Sequence, residues 1–163
     1  MHAEALAWVT RYATTDEVSV LDLGGRDVNG TVRDLFPNAT QYVVLDIVAA
    51  SNVDIVADAA TWVPDQQYDV VVCTETFEHT PEWRSICATA YRACRPGGLL
   101  IATMAGPERP GHSAVDGGAL RPGEYYGNID PEDLREILLD VGFRHIVIDV
   151  QTSPSDVRTV ATK

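Results

Sequence analysis

The stretch VLDLGGRDVNG, residues 20–30, decides the reading of this chain. An apolar run reaches an acid, Asp22, and gives way at once to two glycines and a polar string. The run VSVLDLG (18–24) has the length and apolar content of a buried strand. In open parallel sheets, ligands bind beyond the carboxyl ends of the strands, where the strand order reverses. Gly24-Gly25 falls at such a crevice, and glycine there lets a ligand approach the main chain.

Outward from this turn, strand and helix signals alternate. Residues 3–13 read as an amphipathic helix anchored by Leu6, Trp8, Val9 and Tyr12, within an N-terminal segment 1–16. Asn29 is expected to cap a short helix through Val32, Leu35 and Phe36, which Pro37 ends. QYVVLDI (41–47), VDIVADA (53–59) and YDVVVCTE (68–75) read as strands two to four, the last apolar on both faces as in a parallel sheet. Only about five residues, VAASN, separate strands two and three, too few for a helical crossover. The third strand is therefore either a short edge piece reached by a loop or differently bounded.

A second helix is expected with Thr80 as its cap and Pro81 at its first position. Trp83, Ile86 or Cys87, Ala90 and Cys94 share one face, Arg92 and Arg95 sit in the last turns, and Pro96-Gly97-Gly98 is the stop. GLLIATMAG (98–106) is the fifth strand, followed by a long polar loop, 107–128. Asp130 then caps a helix carrying Leu134, Ile137, Leu138 and Val141 on one face, with Gly142 as its stop. HIVIDVQT (145–152) and DVRTVATK (156–163) form an antiparallel hairpin around Ser153-Pro154-Ser155. The expected fold is α/β, a doubly wound, mostly parallel sheet with helices on both faces and an antiparallel C-terminal hairpin.

Bulk properties narrow the function. The chain has 163 residues, 45% of them hydrophobic, and no repeat or linker, so residues 1–163 are read as one domain. A formal net charge of −12 with scattered Lys and Arg argues against a nucleic-acid partner. Cys73, Cys87 and Cys94 lack metal-site spacing. On one helix Cys87 and Cys94 would lie about 10 Å apart, too far to bridge, so all three are read as packing residues. MHAEALAWVT has no basic start or long apolar core, and no stretch suits a membrane span. The expected location is the cytoplasm, with no membrane partner.

Asp46 ends the second strand about twenty residues after the glycine turn, where a carboxylate accepts hydrogen bonds from two ribose hydroxyls. That leaves a nicotinamide dinucleotide or S-adenosylmethionine (SAM). In a dinucleotide loop, G-x-G-x-x-G, the second glycine makes room for a pyrophosphate, but here Arg26 and Asn29 occupy the second and third glycine positions. SAM has no phosphate and tolerates a bulkier turn, and Arg26 or nearby amides are candidates to hold its carboxylate.

These residues resemble the class I SAM-dependent methyltransferases, in their small-molecule, type 11-like branch. VLDLGGRDVNG is similar to motif I, acid-x-Gly-x-Gly: Asp22 and Gly24 match, and Arg26 departs. VVLDI resembles motif II, DIVADAATW the acidic motif after strand three, YDVVVCTETFEHTPEW the strand-four stretch, and YRACRPGGLLIAT the approach to strand five. The resemblance covers about residues 18–163. It implies a Rossmann-like fold of strand order 3-2-1-4-5-7-6 and transfer of a methyl group from SAM, leaving S-adenosylhomocysteine (SAH), to a small-molecule acceptor. It assigns Asp22 to the methionine amino group, Asp46 with Ile47 to the ribose, and Asp58 with Ala59 to the adenine. Gly24, Gly25, Arg26, Thr74 and Glu75 complete the expected cofactor contacts. The usual helix between strands two and three is missing.

Glu75, His79 and His112 are the candidates to take a proton from the acceptor. The loop at 107–129, with Tyr125 and Tyr126, is a candidate lid or substrate loop. His2 and His145 are expected to be bystanders. Strand five ends in Met104-Ala105-Gly106, which offers no ligand, so no metal is expected. A domain this small leaves room for a homodimer in which a neighbouring subunit finishes the pocket. The competing functions are a SAM-binding regulatory or scaffold subunit without activity and, disfavoured by Arg26 and the hairpin, a nicotinamide oxidoreductase.

Overall fold

A computed structural model describes residues 3–163. Seven strands form one sheet: β1 (Ser19–Leu23), β2 (Gln41–Asp46), β3 (Ile55–Val56), β4 (Tyr68–Thr74), β5 (Cys94–Ala105), β6 (Arg144–Thr152) and β7 (Ser155–Thr162). Their order is β3-β2-β1-β4-β5-β7-β6, parallel from β3 to β5, with β7 antiparallel to both β5 and β6. The expected order and hairpin are both present. Three helices cover the sheet: α1 (Ala3–Tyr12), α2 (Trp83–Ala93) and α3 (Pro131–Val141).

The period of two along each strand sorts the core into two halves. Leu21, Leu23, Val71 and Cys73 face α2 and α3, where Ile86, Leu134, Leu138 and Phe143 close the larger half. Val20, Val44, Val70 and Val72 face the other way, under Trp8, Val9, Val32 and Phe36. Trp8 also donates from its indole N–H to the Thr159 carbonyl at 3.2 Å, which ties α1 to β7. Cys73, Cys87 and Cys94 are free and buried, as expected of packing residues.

Asp130 caps α3 as expected, accepting from the Glu132 and Asp133 amides at 2.8 and 3.3 Å, and Gly142 ends it in the left-handed region at φ 117°. Asp130→Ala should cost about 1 kcal/mol and lower Tm by about 3 °C, measured by thermal unfolding.

Several expectations need correction. The helix after β1 is a single 3₁₀ turn, Arg33–Leu35, and Asn29 does not cap it. Asp27 takes over the local bonding by accepting the Gly30 amide at 2.8 Å, and Pro37 leaves no room to continue. The third strand shrinks from 53–59 to two residues. It is the short edge piece reached by a loop, and Asp54 locks it by receiving the Val44 amide on its carboxylate at 2.8 Å. α2 starts at Trp83, so Pro81 lies in the preceding turn, where Thr80 Oγ1 accepts the Glu82 amide at 3.1 Å. The same helix ends at Ala93, and Cys94 and Arg95 already belong to β5. Leu6 is 38% exposed because α1 presents Ala5, Trp8 and Val9 to the core. His2 lies outside the described residues.

Candidate active site

A cavity of about 790 Å³ opens at the carboxyl ends of the parallel strands, within the usual size for a small-molecule site. Asp22, Asp46 and Asp58 line it from the tips of the first three strands, together with Gly24, Gly25, Arg26, Ile47, Ala59, Thr74 and Glu75. His79 and His112 line it as well. Every residue expected to touch the cofactor or to take the acceptor's proton thus borders one space, whereas Tyr125 and Tyr126 of the expected lid do not line it.

The glycine turn has a steric cause. Gly24 sits at φ 74°, and a Cβ there would lie 2.3 Å from Thr76 Oγ1. A Cβ on Gly25 would lie 2.4 Å from the Asp22 carboxyl carbon. Gly24 must be bare to pack against Thr76, and Gly25 for the acid to fold under its own turn. Asp22 is 2% exposed. Tyr42 donates its hydroxyl to Asp22 Oδ2 at 2.8 Å, and Oδ1 is buried without a hydrogen-bond partner.

Burial pushes the Asp22 carboxyl up to about 6; the Tyr42 bond opposes this and Asp46 adds to it. The sign follows from linkage: an acid whose folded pKa is raised contributes its full stability below the unfolded value near 4 and loses it as the pH rises through 6. The ligand-free protein therefore gives up about 3 kcal/mol between those limits. In Asp22→Asn this loss disappears, so the Tm difference between variant and wild type should widen by several degrees from pH 4.5 to 7.

Asp46 is held from both sides. The Val48 amide donates to Oδ1 at 2.8 Å and the Arg26 amide to Oδ2 at 3.3 Å, while Arg26 Nε approaches Oδ1 to 3.7 Å. Arg26 Nη2 also donates to the Ala114 carbonyl at 3.1 Å, so its guanidinium bridges the second strand tip and the loop over the cavity. Asp58 lies exposed at the rim, accepting the Ala60 amide at 2.9 Å, and Ile47 beside it is 68% exposed.

The other side of the cavity is built on β4 and the loop at 107–129. Glu75 stands just past β4 at φ 53°, a left-handed backbone that a non-glycine residue adopts only when its surroundings hold it. Here the Glu75 amide donates to the Thr103 carbonyl at 2.7 Å, and Thr103 Oγ1 donates to Glu75 Oε1 at 2.9 Å. Arg109 reaches Glu75 Oε2 at 3.0 Å and also binds the buried Asp156 carboxylate. The Glu75 side chain is thus held by a hydroxyl and a guanidinium.

His79 follows in a 3₁₀ turn, Phe77–His79. Its ring meets His112 at 4.9 Å and Tyr126 at 5.6 Å between centroids, and His112 meets Tyr126 at 5.0 Å. Burial, with His112 adding to it, pushes His79 down to about 4, so the ring is neutral at pH 7. Glu78 is fully buried, and neither carboxylate oxygen has a hydrogen-bond partner. Burial raises its carboxyl well above the ordinary range and Glu75 adds to this; the dipoles of the nearby Glu78 and Ala105 amides, which do not complete a hydrogen bond to it, and the charge of Arg109 oppose the rise.

The reading of 107–128 as a polar loop and of 107–129 as a candidate lid or substrate loop gives no sign of Arg109, whose partners Glu75 and Asp156 lie far off in the sequence. Nor does the sequence show the Tyr42 support beneath Asp22, and it presents Glu78 only as part of a motif. The loop has no helix or strand but braces itself: Ser113 Oγ donates to Glu124 Oε1 at 2.8 Å, and the Gly127 amide donates to the Glu78 carbonyl at 2.8 Å. The expectation of no metal rested on Met104-Ala105-Gly106, but Glu78, His79 and His112 converge nearby with one ligand atom each within 4.8 Å of the others. His145 lies exposed at the start of β6, away from this group. Among the described residues no helix is long and apolar enough to cross a membrane.

A parallel sheet reversed at β1 and β4, closed by a strand inserted antiparallel between β5 and β6, is the class I methyltransferase arrangement. The chain belongs to the methyltransferase domain family, whose model matches residues 1–147. Curated proteins provide no match. Among solved structures, the fold is similar to that of DhpI in complex with SAH, at 21% identity, TM-score 0.72, covering 98% of this chain and 83% of that one. It is similar to the 1,6-didemethyltoxoflavin N1-methyltransferase of Burkholderia thailandensis, bound to 1,6-didemethyltoxoflavin and SAH, at 15% identity and TM-score 0.72 (99% of this chain, 77% of that one). A SAM-dependent methyltransferase from Archaeoglobus fulgidus aligns at 19% identity and TM-score 0.71 (98% of this chain, 93% of that one).

Proposed function

We propose that this chain transfers a methyl group from SAM to a small-molecule acceptor. The observation that carries the reading is the buried, unpartnered Oδ1 of Asp22 beneath a cavity that Asp46 and Asp58 also border. A buried anionic oxygen without a donor is costly, and the ammonium of a methionine moiety would satisfy it. Asp46 is oriented for the ribose hydroxyls, and Asp58 with Ala59 for the adenine edge, with Ile47 offering apolar cover nearby. Arg26 and the turn amides are the groups for the methionine carboxylate. Neighbours of the same fold that hold SAH support this assignment.

Thr74 and Glu75, which line the cavity at the end of β4, are assigned to the sulfonium end of the cofactor. In the transfer, a lone pair of the acceptor attacks the methyl carbon in line, the carbon–sulfur bond breaks, and its electron pair returns to sulfur as SAH leaves. Alignment supplies much of the rate. Glu75, His79 and His112 border the acceptor end and are the groups placed to receive an acceptor's proton. The loop at 107–129, tied to Arg26 and Glu78, excludes water from that end.

Calorimetry with SAM, SAH and NAD tests the cofactor: the first two should bind and NAD should not. Conversion of SAM to SAH in the presence of candidate acceptors tests the activity, and tight SAM binding without any turnover would instead favour a regulatory subunit. Binding of NAD but not SAM would overturn the reading.

A further inference from the structure

We propose that Glu78, His79 and His112 form a binding site for a first-row divalent metal ion at the acceptor end of the cavity. Two imidazoles and a carboxylate are a donor set suited to zinc, manganese, iron or cobalt, and less so to magnesium, which prefers oxygen. Three protein ligands leave coordination positions open, as in catalytic sites. His79 and His112 border the cavity, so those positions face it.

The ligand atoms lie within 4.8 Å of one another, against about 3.4 Å around a tetrahedral ion with bonds near 2.1 Å. The third ligand, His112, sits on a loop, which allows that difference to close. An independent observation points to a ligand here. Both Glu78 carboxylate oxygens and His79 Nδ1 are buried with no hydrogen-bond partner. Buried polar atoms are normally satisfied, and a cation between them would satisfy all three together. Tyr126 Oη, buried and equally without a hydrogen-bond partner, belongs to the same cluster. The Glu78-His79 pair is fixed by the turn after β4, and the Gly127 amide on the Glu78 carbonyl brings the loop carrying His112 against it.

The site deepens the methyl-transfer reading, because the open positions would take an oxygen or nitrogen of the acceptor, but it stands or falls on metal binding alone. Purified full-length protein is stripped with a chelator, dialysed and titrated with Co²⁺, followed by the visible absorption of the protein-bound ion, and with Zn²⁺ by calorimetry. One equivalent of each should bind. His112→Ala, His79→Ala and Glu78→Gln should each weaken binding at least about 100-fold, since even outer groups around a metal commonly cost 10–100-fold. His145→Ala, which removes an exposed histidine far from the cluster, should bind as wild type does. His112 lies on a loop, so its variant keeps the fold, which circular dichroism verifies. Absence of a cobalt spectrum in folded protein, or binding that survives both His112→Ala and Glu78→Gln, would overturn the site. SAM calorimetry on the same samples separates the two claims: metal binding without SAM binding defeats the methyltransferase reading and leaves this site standing, and the converse does the opposite.

Discussion

Asp46→Ala is expected to weaken SAM binding about 100-fold, the loss of two charge-assisted hydrogen bonds converted to affinity. The carboxylate stands at the end of β2, paired in register with Val56 on the short β3. The Val48 and Arg26 amides fix its plane before any ligand arrives. Ordering of the acid is therefore complete in advance, and the ribose hydroxyls of the proposed assignment would meet an acceptor that costs little to organise. Asp46→Asn keeps the shape but loses the charge and one acceptor, so it should fall between wild type and alanine. Calorimetry reads the affinity, and a melting curve checks that the turn survives loss of the Val48 and Arg26 contacts. An alanine variant that melts like wild type and binds within about threefold of it would remove Asp46 from the ribose, since a single neutral hydrogen bond is already worth more.

Arg109→Ala is expected to lower Tm by about 10 °C, from a loss of about 3 kcal/mol spread over a domain of this size. Its guanidinium is only 13% exposed and joins two acids: Glu75, on its strained backbone, and Asp156, which is wholly buried at the start of β7. Removing the cation leaves the buried Asp156 carboxylate without its ion pair, and that uncompensated charge is the main cost. It also frees Glu75 Oε2 and the loop that carries Arg109 across the cavity. Arg109→Lys keeps the charge but cannot fork between two carboxylates, so it should recover only part of the loss. Paired thermal melts of the two variants decide this; an unchanged Tm for alanine would show that the pair contributes no net stability.

What was legible in the sequence follows from how local each signal was. β1, β2 and β4 were placed to within a residue or two because buried parallel strands need unbroken apolar runs bounded by turn residues. The α3 cap at Asp130 and its stop at Gly142 were equally plain, since capping is decided by single side chains and one backbone conformation. Of the candidate site, every named cofactor residue was found at one cavity, because strand tips in this topology point to one place. The rest depended on contacts distant in sequence. Tyr42 supports Asp22 across the β1–β2 pair, and Arg109 reaches Asp156 over 47 residues, and neither pairing has a periodicity to announce it. The β3 boundary failed for another reason. VDIVADA is apolar enough to read as a strand along its length, but an edge strand forms only as far as a neighbour is present to pair with it.

The buried carboxyl under the glycine turn also governs how ligands for this protein should be sought. At pH 5 it is mostly protonated and asks nothing of a visitor; at pH 8 it carries a charge that an incoming ammonium relieves. Thermal-shift screening in mildly acidic buffer would therefore under-report amino-acid-bearing compounds. The same library screened in alkaline buffer should rank cationic nucleosides well above their neutral counterparts.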